Sequence, residues 1–574
     1  MELFKVDERK VRDILSKKEI RFEIPRNQRD YVWELKQWKE FFDDIIDCIV
    51  VKDQNEFKNS EYFIGSCVLE KNKKKNSELI VDGQQRLTTI TVLLSALYDH
   101  FFQLNQKQYS DGIYSYLLKK DDDGNEFFTI KNENLDPYYS EMILNKGNDK
   151  DNILPKNEQQ KRISKCYDYY FNELEKYTDG KFEDDETKIK FLISFRNQLL
   201  DLKIIEISVK NELDGYTVFE ILNAKGKQLE LSDRMKNLIL KKLPKDFPTD
   251  QAKDKWDRIK SEIELISNSD TNFSNFIKHY WISSYEKFKD NDEIYNNLKT
   301  EVSKNENMKD FLNDLEENSK VYSMIVQAKE NMFPPSKDRL INQELLFSLN
   351  SFKIFRNSQV RPFLLSLFHN HRIGKINDKE LLKYIRRLEN FHFIFSAICS
   401  TAANKVEKVY HQYSPLIKKN FSKEAIESFF GELNSEKPDY SVFERNFLLK
   451  GYSTKNSDFK SNRRIVNYIL HRFEYHKQKT NELKINDLTI EHIKNDAGTE
   501  VTSMIGNLLP LAGKINEKGK IDDFKIKKQL YQNSNFQSVK DFLEDNSHKQ
   551  LWSEEDISER TKRLAKIAYE RIWV

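Results

Sequence analysis

Leu79-Ile80-Val81-Asp82-Gly83-Gln84-Gln85-Arg86-Leu87-Thr88 is the stretch around which the first half of the chain is organised. Its three leading apolar residues read as a strand. Apolar residues then recur at Leu87, Ile90, Leu94 and Leu97, the spacing that buries one face of a helix. An acid, a glycine, two amides and an arginine therefore fall at a strand-to-helix junction. Unpaired backbone N–H groups and the helix dipole favour an anion there. Gly83 permits a sharp turn or the close approach of a ligand. Gln84 and Gln85 both donate and accept, and Arg86 offers a planar fork that suits phosphate. The same residues also suit a purely structural turn, with Asp82 capping the helix and Arg86 paired to a surface acid.

Immediately upstream, Tyr62 to Leu69 reads as a buried strand. A turn carrying Lys71 and Lys73 to Lys75 follows, so a hairpin delivers the Asp82 loop. Further back, Phe22-Glu23-Ile24 is strand-like and meets Pro25. Next comes Arg26-Asn27-Gln28-Arg29-Asp30-Tyr31-Val32-Trp33, leading into a helix with Leu35, Trp38, Phe42, Ile45 and Ile49 on one face. Arginines beside Tyr and Trp bind phosphate and stack on a ring. They are equally core aromatics flanked by ion pairs. Downstream, the Lys/Asp/Asn-rich stretch near 119–160 reads as an insertion or loop, and Leu202 to Val209 returns to strand character. A helix ending at Asn223 with Gly226 beyond it, followed by Asp233 at the next helix start, is an ordinary helix stop and restart.

Composition narrows the classes. A chain of 574 residues exceeds one core, so two or three domains are expected. Charged residues make up 33% and the formal net charge is only +2, so any nucleic-acid surface is a local patch. With 15 Gly and 11 Pro the chain is too poor in turn formers for a β sandwich or repeat fold. Cys48, Cys67, Cys166 and Cys399 form no CxxC pair and no disulfide framework, which points to a reducing cytosol. Phe391 to Cys399, the most apolar run, is too short to span a bilayer and reads as a buried helix. Residues 240–440 read as long helices without a motif.

The C-terminal part changes character. Arg464 to Phe473 reads as a helix, and the strand Leu488-Thr489-Ile490 ends in Glu491-His492. Ile505-Gly506-Asn507-Leu508, Asn516 and a lysine-rich segment including Lys514, Lys518 and Lys520 follow. A strand ending in Glu-His, with a later asparagine, can build a one-metal phosphodiesterase. Mg²⁺ prefers hard oxygen ligands such as a carboxylate and an amide oxygen. A neutral histidine takes the proton of the attacking water. His492 would be the base, Glu491 or Asn516 would hold the metal, and the lysines would add salt-sensitive phosphate affinity. A lone histidine after a strand is also commonly structural.

Four ordered motifs in the first 240 residues resemble the N-terminal domain of GmrSD-type restriction endonucleases, a family related to the ParB and sulfiredoxin-like fold. They are Ile24-Pro25 with Gln28-Arg29, Tyr31 and Trp33; Tyr62-Phe63-Ile64-Gly65; Asp82 to Thr88; and Phe219 to Asn223 with Gly226, Asp233 and Lys236. The resemblance implies that Asp82, Gly83, Gln84, Gln85 and Arg86 line a nucleotide or phosphate site, with Gln28, Arg29 and Asn223 as neighbours. From about 440, Ile490-Glu491-His492-Ile493, Ile505 to Leu508, Asn516, Phe524 with Lys527, Trp552 and Trp573 resemble the family's C-terminal domain, a His-Me finger (HNH-like) nuclease. By that resemblance His492 is the general base, and Glu491 and Asn516 serve Mg²⁺ or Mn²⁺. The chain departs from the family where a proline often follows the His-Ile pair; Lys494-Asn495 stand there instead.

The expected architecture is α+β and predominantly α-helical. Residues 1–240 form a ParB/sulfiredoxin-like nucleotide-binding sensor domain, 241–439 a helical coupling region, and 440–574 a ββα-metal (HNH-like) nuclease domain. The expected activity is a cytoplasmic, modification-dependent DNA endonuclease of phage defence, gated by hydrolysis of a nucleoside triphosphate. Its partners would be double-stranded, modified phage DNA and nucleotide, with no membrane, and a homo-oligomer stays open. Tyr31 or Trp33 would stack on a flipped base, and Lys514, Lys518 and Lys520 would contact the backbone. The alternative is a nucleotide-responsive DNA-binding regulator whose nuclease domain is degenerate.

Overall fold

The structure is a computed structural model. It describes residues 4–52, 56–72, 76–146, 153–210, 230–243, 250–266, 271–285, 290–304, 308–333, 339–478, 488–516 and 523–574. The fold is α+β and predominantly helical, and it divides into two compact units, Met1–Lys253 and Asp254–Val574.

The first unit is built on a six-stranded sheet. Its order is Phe4–Lys10, Lys203–Val209, Phe63–Asn72, Ser77–Asp82, Arg21–Ile24 and Ile130–Asn132. Phe63–Asn72 and Ser77–Asp82 pair antiparallel as the expected hairpin, with Leu69 opposite Ile80. Lys203–Val209 runs parallel to Phe63–Asn72 on one side, and Arg21–Ile24 runs parallel to Ser77–Asp82 on the other. The edge strand Ile130–Asn132 corrects the sequence reading of 119–160 as an insertion. Three residues are too few to show an alternation, but Ile24 pairs with Asn132 and Ile130 is buried. Two further three-residue strands, Leu118–Lys120 and Glu126–Phe128, form a small hairpin in the same region.

The helix Gln84–Gln103 also departs from expectation. Its pattern predicts one apolar face, yet it is buried on nearly every side, packed by the helices Lys107–Leu117, Glu158–Lys181 and Asp185–Asp201. Small hydroxyl residues make this workable. Thr89 Oγ1 donates to Gln85 O at 2.8 Å and Thr91 Oγ1 to Thr88 O at 2.8 Å, so these two side chains enter the core with their protons satisfied.

In the second unit, the helix Asp378–His392 continues into a π-helical turn, Phe393–Ile398, whose Phe393, Ile394 and Phe395 are buried, as the apolar run predicts. A buried ion pair joins this helix to Arg463–Lys477. Arg472 Nε donates to Glu389 Oε1 at 2.8 Å, Tyr468 OH donates to the same oxygen at 2.6 Å, and Arg472 Nη1 donates to Glu344 at 2.8 Å. The hairpin of Leu488–His492 and Leu508–Ala512, antiparallel with Ile490 opposite Pro510, lies between two helical layers. Leu488 and Ile490 pack with Val466 and Leu470 of one helix. Ile493, Leu509 and Leu511 pack instead with Phe524, Tyr531 and Phe542. Among the described residues no helix is long and apolar enough to cross a membrane.

Candidate functional sites

Asp82 ends its strand, and Gly83 turns the chain at φ +92° into the helix Gln84–Gln103. That left-handed conformation suits glycine. A Cβ there would also sit 3.3 Å from Cys67. The N-cap position is Gly83, and among the described residues no side chain caps the helix, so Asp82 is not the capping residue of the structural alternative. Its carboxylate lies 3.6 Å from the Arg86 guanidinium, each about a quarter exposed. Arg86 folds back over Gly65 and donates to Ser66 O. A Cβ at Gly65 would meet Arg86 Nη1 at 2.7 Å, so the glycine is what admits the arginine. The junction thus presents a helix N-terminus with an acid and a guanidinium beside it.

The two glutamines do something else. Gln85 accepts from Val32 N at 2.8 Å and donates to Asp30 O at 2.9 Å, and Gln84 donates to Arg29 O at 2.9 Å. Both are buried. The expectation that Gln85 lines a phosphate site is corrected: both ends of its amide staple the 25–33 loop to the helix start. That loop is tied from other sides too. Asn134 Nδ2 donates to Gln28 O at 3.3 Å, Glu133 accepts from Arg26 N at 3.2 Å, and Lys236 makes a buried ion pair with Asp30. Arg26 reaches Asp250 and the Leu240 and Leu243 carbonyls. The structure therefore holds the Gln28–Asp30 backbone against the start of the Gln84–Gln103 helix, with Lys236 paired to Asp30. Glu133 and Asn134 were missed because their stretch read as a loop. Asn223 lies outside the described residues.

Tyr31, expected to stack on a base, is a core residue. It is 3% exposed; its hydroxyl donates to Thr89 Oγ1 at 2.7 Å and accepts from Trp38 Nε1 at 3.0 Å, so no ring face is open to a base. Trp33 is half-buried, edge-on to Phe41. Burial pushes the Cys67 thiol up, which leaves it inert beneath the Asp82 turn.

In the second unit, side-chain alternation along Leu488–His492 sends Glu491 and His492 to opposite faces. His492 is half-buried, and its Nε2 lies 2.9 Å from Tyr452 O. A carbonyl only accepts, so Nε2 carries the proton and Nδ1 of the neutral ring holds the lone pair. The backbone around it is held as well. Lys527 Nζ donates to His492 O, and Ile493 N donates to Asn507 O at 2.8 Å. Asn507, fully buried, clamps Lys494 by accepting from its N–H at 2.8 Å and donating to its carbonyl at 2.7 Å. This amide clamp holds the loop where the proline is missing.

Glu491 corrects the sequence reading. Its carboxylate is buried, accepts from Tyr531 OH at 3.1 Å and pairs with Lys527 at 3.0 Å. It balances a buried lysine within the core and lies across the strand from the His492 ring. The acid on the His492 side is Asp496, which the sequence reading passed over. It accepts from Ser453 Oγ at 2.7 Å, Thr454 N at 2.8 Å, Thr454 Oγ1 at 3.1 Å and Gly498 N at 3.0 Å. Burial alone would raise its carboxyl; these bonds outweigh that, the nearby His492 adds to them, and the value falls to about 2. With both carboxylates so engaged, the described residues do not fit a carboxylate site for Mg²⁺ or Mn²⁺. Among them no three His, Cys, Asp or Glu side chains cluster as metal ligands. Asn516 ends the short helix Gly513–Asn516, beside the hairpin; its side chain and that of Lys514 lie outside the described residues, as do Lys518 and Lys520.

Comparison with known proteins gives the family. No curated protein matches the chain. The GmrSD restriction endonuclease N-terminal domain family matches residues 11–240, which hold the Asp82 junction and its tied loop. The GmrSD restriction endonucleases C-terminal domain family matches residues 437–567, which hold His492 and its clamps. Together the two matches cover more than half of the chain, which therefore belongs to the GmrSD restriction endonuclease family, with DNA as its substrate.

Proposed function

We propose that this chain is a modification-dependent endonuclease of phage defence, in which nucleoside triphosphate hydrolysis in the first unit gates cutting by the second. The observation that carries the cutting step is His492: its Nε2 is engaged by Tyr452 O, and Nδ1 is left as the acceptor. In this reading Nδ1 takes a proton from water as the water oxygen bonds to phosphorus and the ester oxygen leaves. The nucleotide reading rests on the helix N-terminus beside Asp82 and Arg86, which no described side chain caps and which suits a phosphate.

Cutting by the wild-type chain is measured on phage DNA with and without base modification, in Mg²⁺ or Mn²⁺ and in chelator, with and without nucleoside triphosphate. Cutting of modified DNA alone, dependent on nucleotide, is the expected result, and loss of cutting in chelator would put a metal on residues other than Glu491 and Asp496. Cutting of both DNAs points to a nuclease under other control. One observation favours a second reading, a DNA-binding regulator with a degenerate nuclease domain: Glu491 is neutralised by Lys527. That reading predicts DNA binding without cutting in every ion.

Asp82→Ala tests the nucleotide site. Turnover of nucleoside triphosphate is expected to fall about 10²-fold or more, with the helical circular dichroism signal unchanged, because among the described residues the Asp82 carboxylate makes only the 3.6 Å pair with Arg86. Normal turnover in the folded variant removes the assignment.

A further inference from the structure

We infer that Asp496 is a positioning residue for His492, acting through the turn Tyr452–Asn456. The inference rests on the nuclease reading for its consequence, though not for its geometry. The carbonyl that orients the imidazole belongs to Tyr452, 40 residues away in sequence. A lone backbone carbonyl on a surface turn selects a ring orientation only if the turn itself is held.

Two anchors hold it. On one side the chain is sewn to the 503–505 segment: Tyr452 N donates to Ser503 O at 2.8 Å, Ile505 N donates to Lys450 O at 3.1 Å, and Gly451 bridges to Met504. The approach is so close that a Cβ at Gly451 would fall 2.0 Å from Ser503 O. On the other side stands Asp496. One of its oxygens takes Ser453 Oγ and Gly498 N, and the other takes both the N–H and the hydroxyl of Thr454. Ser453 is fully buried and passes the order on, its Oγ accepting from Lys455 N and Asn456 N at 3.0 Å each. Asn456 closes the ring by donating to Gly498 O at 3.0 Å. Asp496 is thus the hub between the loop that follows His492 and the turn that faces its ring. A carboxylate is needed because all four groups donate. An asparagine would turn an N–H toward one pair of them.

Two readouts on the full chain test this. The first is the imidazole ¹⁵N spectrum of histidine-labelled protein, with the His492 resonances identified by their loss in His492→Ala. The Nε2–H form is expected in wild type and a mixture of tautomers in Asp496→Asn. The second is a double-mutant cycle on single-turnover DNA cutting. Asp496→Asn is expected to lower kcat about 10- to 100-fold with KM for DNA within about twofold, since misplacing a catalytic group acts on the chemical step. In the His492→Ala background it should cost nothing more. A residue that merely stabilises the fold would move neither the tautomer nor kcat per folded molecule. An unchanged His492 tautomer in folded Asp496→Asn overturns the inference, and so does a full additional loss in the double variant. If wild type cuts no DNA but the tautomer shifts as expected, the positioning role stands and the nuclease reading falls.

Discussion

His492→Ala is expected to abolish most DNA cutting, lowering the single-turnover rate by about 10²–10⁴-fold, the range that a positioned general base contributes. The histidine ring is half-buried and makes one hydrogen bond, to Tyr452 O. The backbone clamps on this segment come from Lys527 and Asn507, and alanine leaves both in place. The unfolding transition should therefore move little, which separates loss of chemistry from loss of structure. The measurement is cutting of modified DNA by the folded variant, with DNA affinity read in parallel. Retained affinity with lost cutting assigns the base. Cutting within threefold of wild type would transfer the role away from His492 and take the proposed chemistry with it.

The largest stability effect is expected at Arg472. Arg472 and Glu389 are 2% and 0% exposed, and the pair binds the Arg463–Lys477 helix to the Asp378–His392 helix. Arg472→Ala leaves the Glu389 carboxylate buried with only the neutral hydroxyls of Tyr468 and Ser348 as donors. Breaking a buried pair from one side costs about 3–5 kcal/mol, because a charge stays behind without compensation. Denaturant unfolding of the full chain should show this as a lower midpoint for the transition of the second unit, with that of Met1–Lys253 unmoved. A double replacement, Arg472→Met with Glu389→Leu, should cost far less, since no charge remains in the core. The pair also sets a pH dependence. Burial by itself would raise the Glu389 carboxyl, but the Arg472 charge and hydrogen bonds outweigh it and hold the group below its ordinary 4.5. A carboxyl lowered on folding contributes stability that is complete above its unfolded value and is lost as pH falls through its folded one. Acid should therefore weaken the second unit below about pH 4.5 in wild type, and less steeply in the double replacement.

Much of the local scaffold could be read from the residues. The Asp82 hairpin, the helix that follows it, the strand Leu488–His492 and the buried run after Phe391 all fall where apolar spacing puts them. Backbone periodicity is set by neighbours one to four residues apart, and a single chain displays those directly. Strands of three residues escape the same test, which is why Ile130–Asn132 read as a loop while it closes the sheet edge.

The sites divide along the same line. Residue types alone located an anion-suited turn at Asp82 and a base candidate at His492. Which partner each side chain takes depended on contacts remote in sequence. Gln85 meets Asp30 across 55 residues and becomes a staple, and His492 meets Tyr452 across 40 and gains a defined lone pair. Glu491 and His492 are adjacent letters, so sequence joined them in one metal site. The pleat sends them to opposite faces, and packing then gives Glu491 to Lys527 and places Asp496 on the side of His492. The spacing of apolar residues was enough to place strand and helix, because that information is local. The direction of each polar side chain, and so the chemistry, came from long-range burial, because a polar group's partner inside a protein is whatever the fold leaves within hydrogen-bonding reach.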